Sequence, residues 1–168
     1  MARIAVLAEK MYDDRELWYP SIRMREAGHE VHIIGSGTAS EFPSKFGMPV
    51  KVDKNVQTVN PTDYDAVIIP GGFSPDYMRR VPEMVGFVRK LGEANKPVAA
   101  ICHGGWMLIS AKLIKGKKVT SFFSIRDDME NAGAMWIDKA VVVDGNIITS
   151  RNPDDLPSFC KEILKLLK

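Results

Sequence analysis

The chain of 168 residues has no long apolar run; its longest ones are of the kind seen at Ala66–Pro70 and Val98–Cys102. A helix that spans a membrane needs about 20 such residues, so we expect no membrane partner. The first residues also lack the apolar stretch and the small-residue cleavage site of a signal peptide. Only two cysteines, Cys102 and Cys160, are present, too few for a disulfide framework. These absences predict a protein of the reducing cytoplasm.

A strong charge of either sign is also missing. The 23 basic and 21 acidic residues leave a formal net charge of +2 at pH 7. Most basic residues are interleaved with acids, and the one basic cluster, Lys115, Lys117 and Lys118, is short. Because nucleic-acid binding usually needs a larger basic surface, we expect none. The length and the 45% hydrophobic content fit a single globular domain over residues 1–168.

Short β-branched runs alternate with amphipathic stretches along the chain. This alternation predicts an α/β fold with a mostly parallel sheet and helices on both of its faces. The predicted strands are Arg3–Leu7, Glu30–Gly35, a short one near Pro49–Asp53, Ala66–Pro70, Lys96–Ile101, Val119–Ser121, Ala140–Val143 and Ile147–Ser150. The predicted helices are Asp14–Ala27, Pro82–Glu93, His103–Leu113 and Asp155–Leu167. Pro20 should kink the first helix, and Asp144–Asn146 should form a hairpin turn.

The segment Val98–Gly105 carries the clearest chemical pattern. A buried strand ends at Cys102, small residues stand two positions before and after it, and a helix follows. This is the form of a nucleophile elbow with cysteine in place of serine. The start of the helix favours the thiolate, which predicts a low thiol pKa, and His103 can transfer a proton. The alternative is an inert cysteine buried at the end of a strand.

Two further segments end at the same predicted edge of the sheet. Gly71 and Gly72 follow a strand, and glycines there let backbone N–H groups approach an oxyanion, although an ordinary turn is the simpler interpretation. The loop after the first strand is acidic, with Glu9, Asp13, Asp14 and Glu16, and one of these carboxyl groups could hydrogen-bond the thiolate. No metal site is expected, because the histidines of the H-x-x-H pattern would point to opposite faces of a strand.

An ordered series of motifs resembles the PfpI/ThiJ superfamily, in particular its branch of intracellular proteases and deglycases. The resemblance runs from Arg3 to Lys168. The motifs are Asp13–Pro20, Ala27–Val31, Ile69–Gly72, Ala100–Gly104, Thr120–Ser121, Asp127–Gly133 and Ser150–Pro157. The resemblance implies a flavodoxin-like three-layer sandwich, no cofactor, and a homo-oligomer that is a dimer or a hexamer built from dimers.

The resemblance also implies roles for individual residues. Cys102 is the nucleophile, His103 is its partner, and Glu16 is the acid, typically protonated, that hydrogen-bonds the sulfur. The N–H groups of Gly72 and His103 correspond to the oxyanion hole, and Asp76 of a neighbouring subunit is expected to reach His103. Gly71, Trp106 and Phe122 are expected at the pocket. Phe122 replaces a usual tyrosine, the indole of Trp106 is expected to narrow the pocket, and Arg15 stands where an apolar residue is usual.

These residues favour a cysteine-dependent hydrolase that acts on glycated adducts, derived from methylglyoxal or glyoxal, or on peptides. The same thiolate and oxyanion donors serve both reactions. A redox sensor or chaperone-like stress protein that works by oxidation of Cys102 is the alternative. A glutamine amidotransferase needs a histidine well downstream of its cysteine. The last histidine in this chain is His103, so we reject that class.

Overall fold

A computed structural model describes residues Met1–Leu167; Lys168, the last residue of the predicted domain, lies outside the described residues. The strands within Met1–Leu167 are β1 (Arg3–Ala8), β2 (Glu30–Gly35), β3 (Glu41–Pro43), β4 (Pro49–Lys51), β5 (Lys54–Asn55), β6 (Ala66–Ile69), β7 (Val98–Ile101), β8 (Lys118–Val119), β9 (Met135–Trp136), β10 (Val141–Asp144) and β11 (Ile147–Ser150). The α-helices of the same residues are α1 (Asp14–Glu26), α2 (Ser74–Met78), α3 (Pro82–Glu93), α4 (Gly105–Ser110), α5 (Arg126–Asn131) and α6 (Leu156–Leu166).

The central sheet has the strand order β10-β11-β7-β6-β1-β2-β5. All neighbouring strands in it are parallel except β10 and β11, which form an antiparallel hairpin. Gly145 has a φ of 62° in the two-residue turn of that hairpin, a left-handed conformation that glycine adopts without strain. The predicted mostly parallel sheet is therefore confirmed.

Successive residues of β1 point to opposite faces of the sheet, as the pleat requires. Ile4 and Val6 pack with apolar side chains of α1 and α6, among them Leu17 and Phe159. Ala5 and Leu7 pack on the other face with apolar side chains of α3 and α4, which are Met84, Phe87, Val88, Leu91, Met107 and Leu108. The sheet thus lies between two helical layers, which is the flavodoxin-like three-layer sandwich.

Some elements differ from the sequence prediction. The predicted strand at Val119–Ser121 is shorter, since the Thr120 N–H donates to Thr149 Oγ1, 2.9 Å away. Its counterpart β8 pairs with β9 outside the central sheet. The predicted helix His103–Leu113 is also shorter: a 3₁₀ turn over Cys102–Gly104 precedes it, and Lys112 has a φ of 63° after its end. Pro20 lies inside one continuous α1.

The carboxyl ends of β1, β6 and β7 are adjacent in the sheet, so the loops that follow them meet at one edge. Those loops carry Asp13, Gly71 and Cys102, and α1 begins directly after the first of them. Among the described residues, no helix has both the length and the apolar character needed to cross a membrane.

Candidate active site

The backbone reverses sharply at Cys102. Strand β7 ends at Ile101, and Cys102 takes a left-handed φ of 59° before α4 begins at Gly105. Close packing accompanies this turn, because a Cβ on Gly104 would lie 2.6 Å from the Ile69 carbonyl oxygen. The geometry holds the Cys102 side chain at the carboxyl edge of the sheet, where it is 9% exposed.

Glu16 lies behind the thiol on the first turn of α1 and is fully buried. Its Oε2 accepts a hydrogen bond of 2.7 Å from the Gly71 N–H. Its Oε1 has no hydrogen-bond partner among the described residues, and the Cys102 thiol is close enough to act on the carboxyl group. Burial, helped by the Asp13 charge, raises the pKa of Glu16 to about 7. Glu16 can therefore hold a proton near neutral pH.

The thiol of Cys102 responds to the same burial. Burial raises the pKa of the Cys102 thiol, and the charge of an ionised Glu16 raises it further. The backbone N–H groups of His103 and Gly72 act in the opposite direction. The sequence prediction of a low thiol pKa is therefore wrong, because in the structure the pKa is raised. The prediction considered the start of the helix and His103 but not the burial of the thiol. A proton on Glu16 removes the contribution that its charge makes to the raised thiol pKa.

The ring of His103 lies between the thiol and a hydroxyl. Its Nδ1 is 3.3 Å from Cys102 Sγ, and its Nε2 is 3.2 Å from Ser124 Oγ. Phe122 stacks on the imidazole, with 5.2 Å between ring centroids, and Trp106 meets it edge-on at 5.0 Å. Burial lowers the pKa of His103, and the nearby Lys45 adds to the effect. The ring is therefore neutral at pH 7 and can accept a proton.

Two backbone N–H groups face the sulfur from different loops, those of Gly72 and His103. Gly72 has a φ of 68°, and a Cβ there would run into the backbone of the loop after β1. Only glycine fits this close approach. Donors fixed in this way can stabilise negative charge that develops on an oxygen next to the sulfur.

A cavity of about 360 Å³ opens over this cluster. It is lined by Met11, Asp13, Arg15, Glu16, Lys45, Gly72, Phe73, Cys102, His103, Phe122 and Pro153. Phe122 is among these lining residues. Cations and aromatic side chains form much of the rim, and the thiol and its acid lie deeper.

Three residues predicted for the site lie outside that lining. Gly71 is buried against Glu16 and Cys102, so it supports the cavity from beneath. The Trp106 indole does not narrow the cavity, because its Nε1 donates to Asp128 Oδ2 over 2.8 Å and the ring lines a neighbouring cavity. Asp76 lies on α2, where it is ion-paired with Arg80, and the hydrogen-bond partners of the His103 ring among the described residues are Cys102 and Ser124.

The sequence analysis missed Ser124 and Lys45. Ser124 reaches His103 because the chain folds back after Phe122, whose N–H donates to the Cys102 carbonyl over 3.3 Å. Lys45 arrives from the loop between β3 and β4, a hairpin that was not predicted. A serine and a lysine in irregular segments carry no pattern in the sequence that indicates a site.

Comparison with known proteins covers nearly the whole chain. The model of the DJ-1/PfpI family matches residues 2–166. The protein named deglycase PfpI from Pyrococcus furiosus is 47% identical over 166 residues, which are 99% of each chain. Protein/nucleic acid deglycase 2 of Escherichia coli is 44% identical over 167 residues, 98% of this chain and 97% of its own length.

A solved structure has a closely similar fold. It is a two-domain protein from Anabaena variabilis that contains DJ-1/ThiJ/PfpI-like and ferritin-like domains, and it matches with a TM-score of 0.97 at 42% identity. The match covers 99% of this chain and 48% of that one.

Proposed function

Because the chain belongs to the DJ-1/PfpI family, we propose that it is a cysteine-dependent hydrolase that removes methylglyoxal- or glyoxal-derived adducts from amino groups. One observation carries the proposal: Glu16, the N–H groups of Gly72 and His103, and the His103 ring all converge on Cys102. Relatives named as deglycases support the same class of enzyme.

The first step follows from the position of the sulfur. An adduct of methylglyoxal with an amine carries a carbon bonded to both nitrogen and a hydroxyl. The Cys102 thiolate forms a C–S bond to that carbon while the C–N bond breaks, and the amine leaves with a proton. The product on the enzyme is a hemithioacetal, and a protonated Glu16 limits the cost of the thiolate that starts the step.

The second step needs a base and an oxyanion site. The neutral His103 ring accepts the proton of the hemithioacetal carbon and returns it to the adjacent carbonyl carbon. The hydroxyl proton of the hemithioacetal moves to the former carbonyl oxygen, and the product is a thioester. The N–H groups of Gly72 and His103 stabilise the negative oxygen of the enediolate formed between these transfers. Water then cleaves the thioester, so adduct plus water gives free amine and a hydroxy acid, with Cys102 regenerated.

The cavity supports a small substrate over an extended peptide. A volume of about 360 Å³ lies at the lower end of small-molecule sites, which span roughly 300–1,000 Å³. The walls come from several loops around one deep thiol, and this shape fits a compact adduct on a single side chain. Hydrolysis of peptides by the same thiol remains the second activity to assay.

The test compares two cysteine variants. Cys102→Ala should abolish release of hydroxy acid from methylglyoxal-modified Nα-acetyl-lysine, a loss of at least about 1,000-fold in kcat. Cys160→Ala is the matched control, because Cys160 lies in α6 with 1% exposure and burial raises the pKa of its thiol to about 12. Turnover that survives in Cys102→Ala contradicts the proposal. Casein cleavage without adduct turnover assigns the peptidase reaction instead.

A further inference from the structure

Two cationic side chains, Arg15 and Lys45, line the active-site cavity, and both contact the buried carboxylate of Asp13. Asp13 is 2% exposed, and its Oδ2 lies 2.6 Å from Lys45 Nζ. The same carboxylate accepts the Arg15 backbone N–H over 3.0 Å and so caps α1. These two bonds satisfy Asp13 without any help from the Arg15 side chain.

The guanidinium of Arg15 is held only loosely. Its Nε and Nη2 are 3.4 and 3.3 Å from the Asp13 oxygens, and its side chain is 60% exposed. A guanidinium has five N–H donors in a planar fork, which suits a carboxylate or phosphate bound through two parallel hydrogen bonds. Arg15 can turn to such a group and leave Asp13 paired with Lys45.

Other negative charges do not neutralise Arg15. Besides Asp13, the carboxyl groups of Glu16 and Asp154 act on it. Glu16 holds a proton for much of the time near neutral pH, since its pKa lies at about 7. Asp154 is exposed to solvent, where water and salt screen its attraction. The cavity rim therefore offers a positive, hydrogen-bonding group on the same wall as Glu16.

We infer that Arg15 is a specificity-determining residue that binds a small anionic group, a carboxylate or a phosphate, on the substrate. The inference rests on the proposed function and names its substrate class: adducts on small, negatively charged molecules such as free amino acids. A modified side chain in the middle of a protein lacks this group. Arg15 and Cys102 line one small cavity, so the anion and the reacting carbon belong to the same compact molecule.

Alkylation of Cys102 tests the anion preference without any turnover. Iodoacetate and iodoacetamide form the same C–S bond with loss of iodide, and they differ in one negative charge. The measured quantity is the rate with iodoacetate divided by the rate with iodoacetamide, and the value at Cys102 is normalised by the same ratio for a free thiol. We expect this normalised ratio to be about 5, the effect of one partly exposed ion pair. In Arg15→Gln the normalised ratio should fall to about 1.

Arg23→Gln is the matched control, since Arg23 lies on the same helix, pairs with Glu26 and does not line the cavity. It should keep the wild-type ratio. Mass spectrometry of the separate peptides distinguishes Cys102 from Cys160. Equal normalised ratios in the wild type and in Arg15→Gln overturn the inference.

Matched substrate pairs identify the source of the anion. Methylglyoxal-modified Nα-acetyl-lysine is compared with its amide, and modified guanosine monophosphate with guanosine. The inference is supported if the wild type prefers the charged member of a pair by about fivefold in kcat/KM, if the difference lies in KM, and if Arg15→Gln loses it. The pair that shows the preference then identifies the anion as a carboxylate or a phosphate. Turnover of all four without preference overturns the inference and leaves the hydrolase standing. An Arg15-dependent alkylation ratio without any turnover supports the anion site and defeats the proposed reaction.

Discussion

At the scale of single residues, ionisation of Glu16 opposes ionisation of Cys102. Two negative groups side by side in a buried site repel each other, so the pair titrates as a unit. Burial raises the pKa of both, and a proton on Glu16 makes a thiolate on Cys102 less unfavourable. The carboxyl therefore matters as a proton holder and hydrogen-bond donor, and a charged Glu16 opposes the chemistry.

Glu16 gives the stability of the protein a specific pH dependence. Its pKa rises from the ordinary 4.5 to about 7 on folding. Below pH 4.5 the carboxyl is protonated in both states; as the pH rises to 7, the unfolded chain releases the proton first and the folded state loses stability. Relative to Glu16→Gln, the free energy of unfolding of the wild type should fall by about 3 kcal/mol over this range. Urea unfolding at several pH values measures it, and parallel profiles for the two proteins would contradict it.

The identities of the central residues could be predicted from the sequence, but their electrostatics could not. Small residues around Cys102 and the glycine pair at Gly71 and Gly72 are local patterns that indicate tight turns. A pKa depends on how many side chains and backbone groups surround the carboxyl or thiol, and those groups come from β6, β7 and α1. Local sequence around Cys102 carries no measure of that burial, so the thiol was expected to be more acidic than it is.

At the scale of elements, the ends of β6 and β7 are packed so closely that glycine is required between them. A Cβ on Gly71 would lie 2.6 Å from Glu16 Oε2, 2.8 Å from Cys102 Cβ and 2.9 Å from the His103 nitrogen. Real Cβ atoms do not approach their neighbours this closely, so either α1 or the turn at Cys102 has to move.

Gly71→Ala should lower the free energy of unfolding by about 1–3 kcal/mol, the usual cost of an overpacked site. It should also slow the alkylation of Cys102, because the shift disturbs the Glu16 contact. Gly86→Ala is the control, since nothing lies within 4 Å of a Cβ at Gly86 in α3. That change should stabilise the protein by about 0.5–1 kcal/mol. Chemical denaturation of both variants measures the contrast, and a neutral Gly71→Ala would show that the site is loosely packed.

The elements that follow strong hydrophobic patterns could be predicted, and the irregular ones could not. Strands β1, β2, β6, β7, β10 and β11 and helices α1, α3 and α6 lie within one or two residues of the predicted ones. The short strand predicted near Pro49–Asp53 corresponds to β4, but β3, its hairpin partner, and the short helices α2 and α5 were missed. Each has only three to six residues, so tertiary contacts decide its conformation more than its own propensities do. Asp76 and Lys45 lie in or beside these missed elements.

At the scale of the whole molecule, one predicted site residue does not line the cavity of its own chain. Asp76 pairs with Arg80 on α2, and the Nε2 of His103 in the same chain already contacts Ser124. The family resemblance predicts that His103 is reached by the Asp76 of another copy. This arrangement stays a prediction from the resemblance, and the competing interpretation is that Asp76 only stabilises the first turn of a short helix.

Mixing of inactive subunits decides between these interpretations. Asp76→Asn should lower kcat by about 10-fold if Asp76 orients His103, which corresponds to about 1.4 kcal/mol in the barrier. Cys102→Ala and Asp76→Ala should each be impaired alone, and their mixture should recover activity, because one hybrid site keeps both residues. A mixture that stays inactive after subunit exchange has been verified would contradict a shared site.

The cavity has reactive groups at its base and variable side chains at its rim, and this division has an evolutionary consequence. The thiol and the two N–H donors are held at strand ends, and the acid on the first turn of α1 packs against them, so that a side chain at the glycines there collides with neighbouring atoms. The rim side chains, such as Arg15, Lys45 and Phe73, extend from the loops and helix starts above and have room to change. Mutations can therefore replace the rim side chains while the thiol, its acid and the N–H donors are retained. Descendants of one ancestral enzyme can diverge in what they accept long before they diverge in how they react.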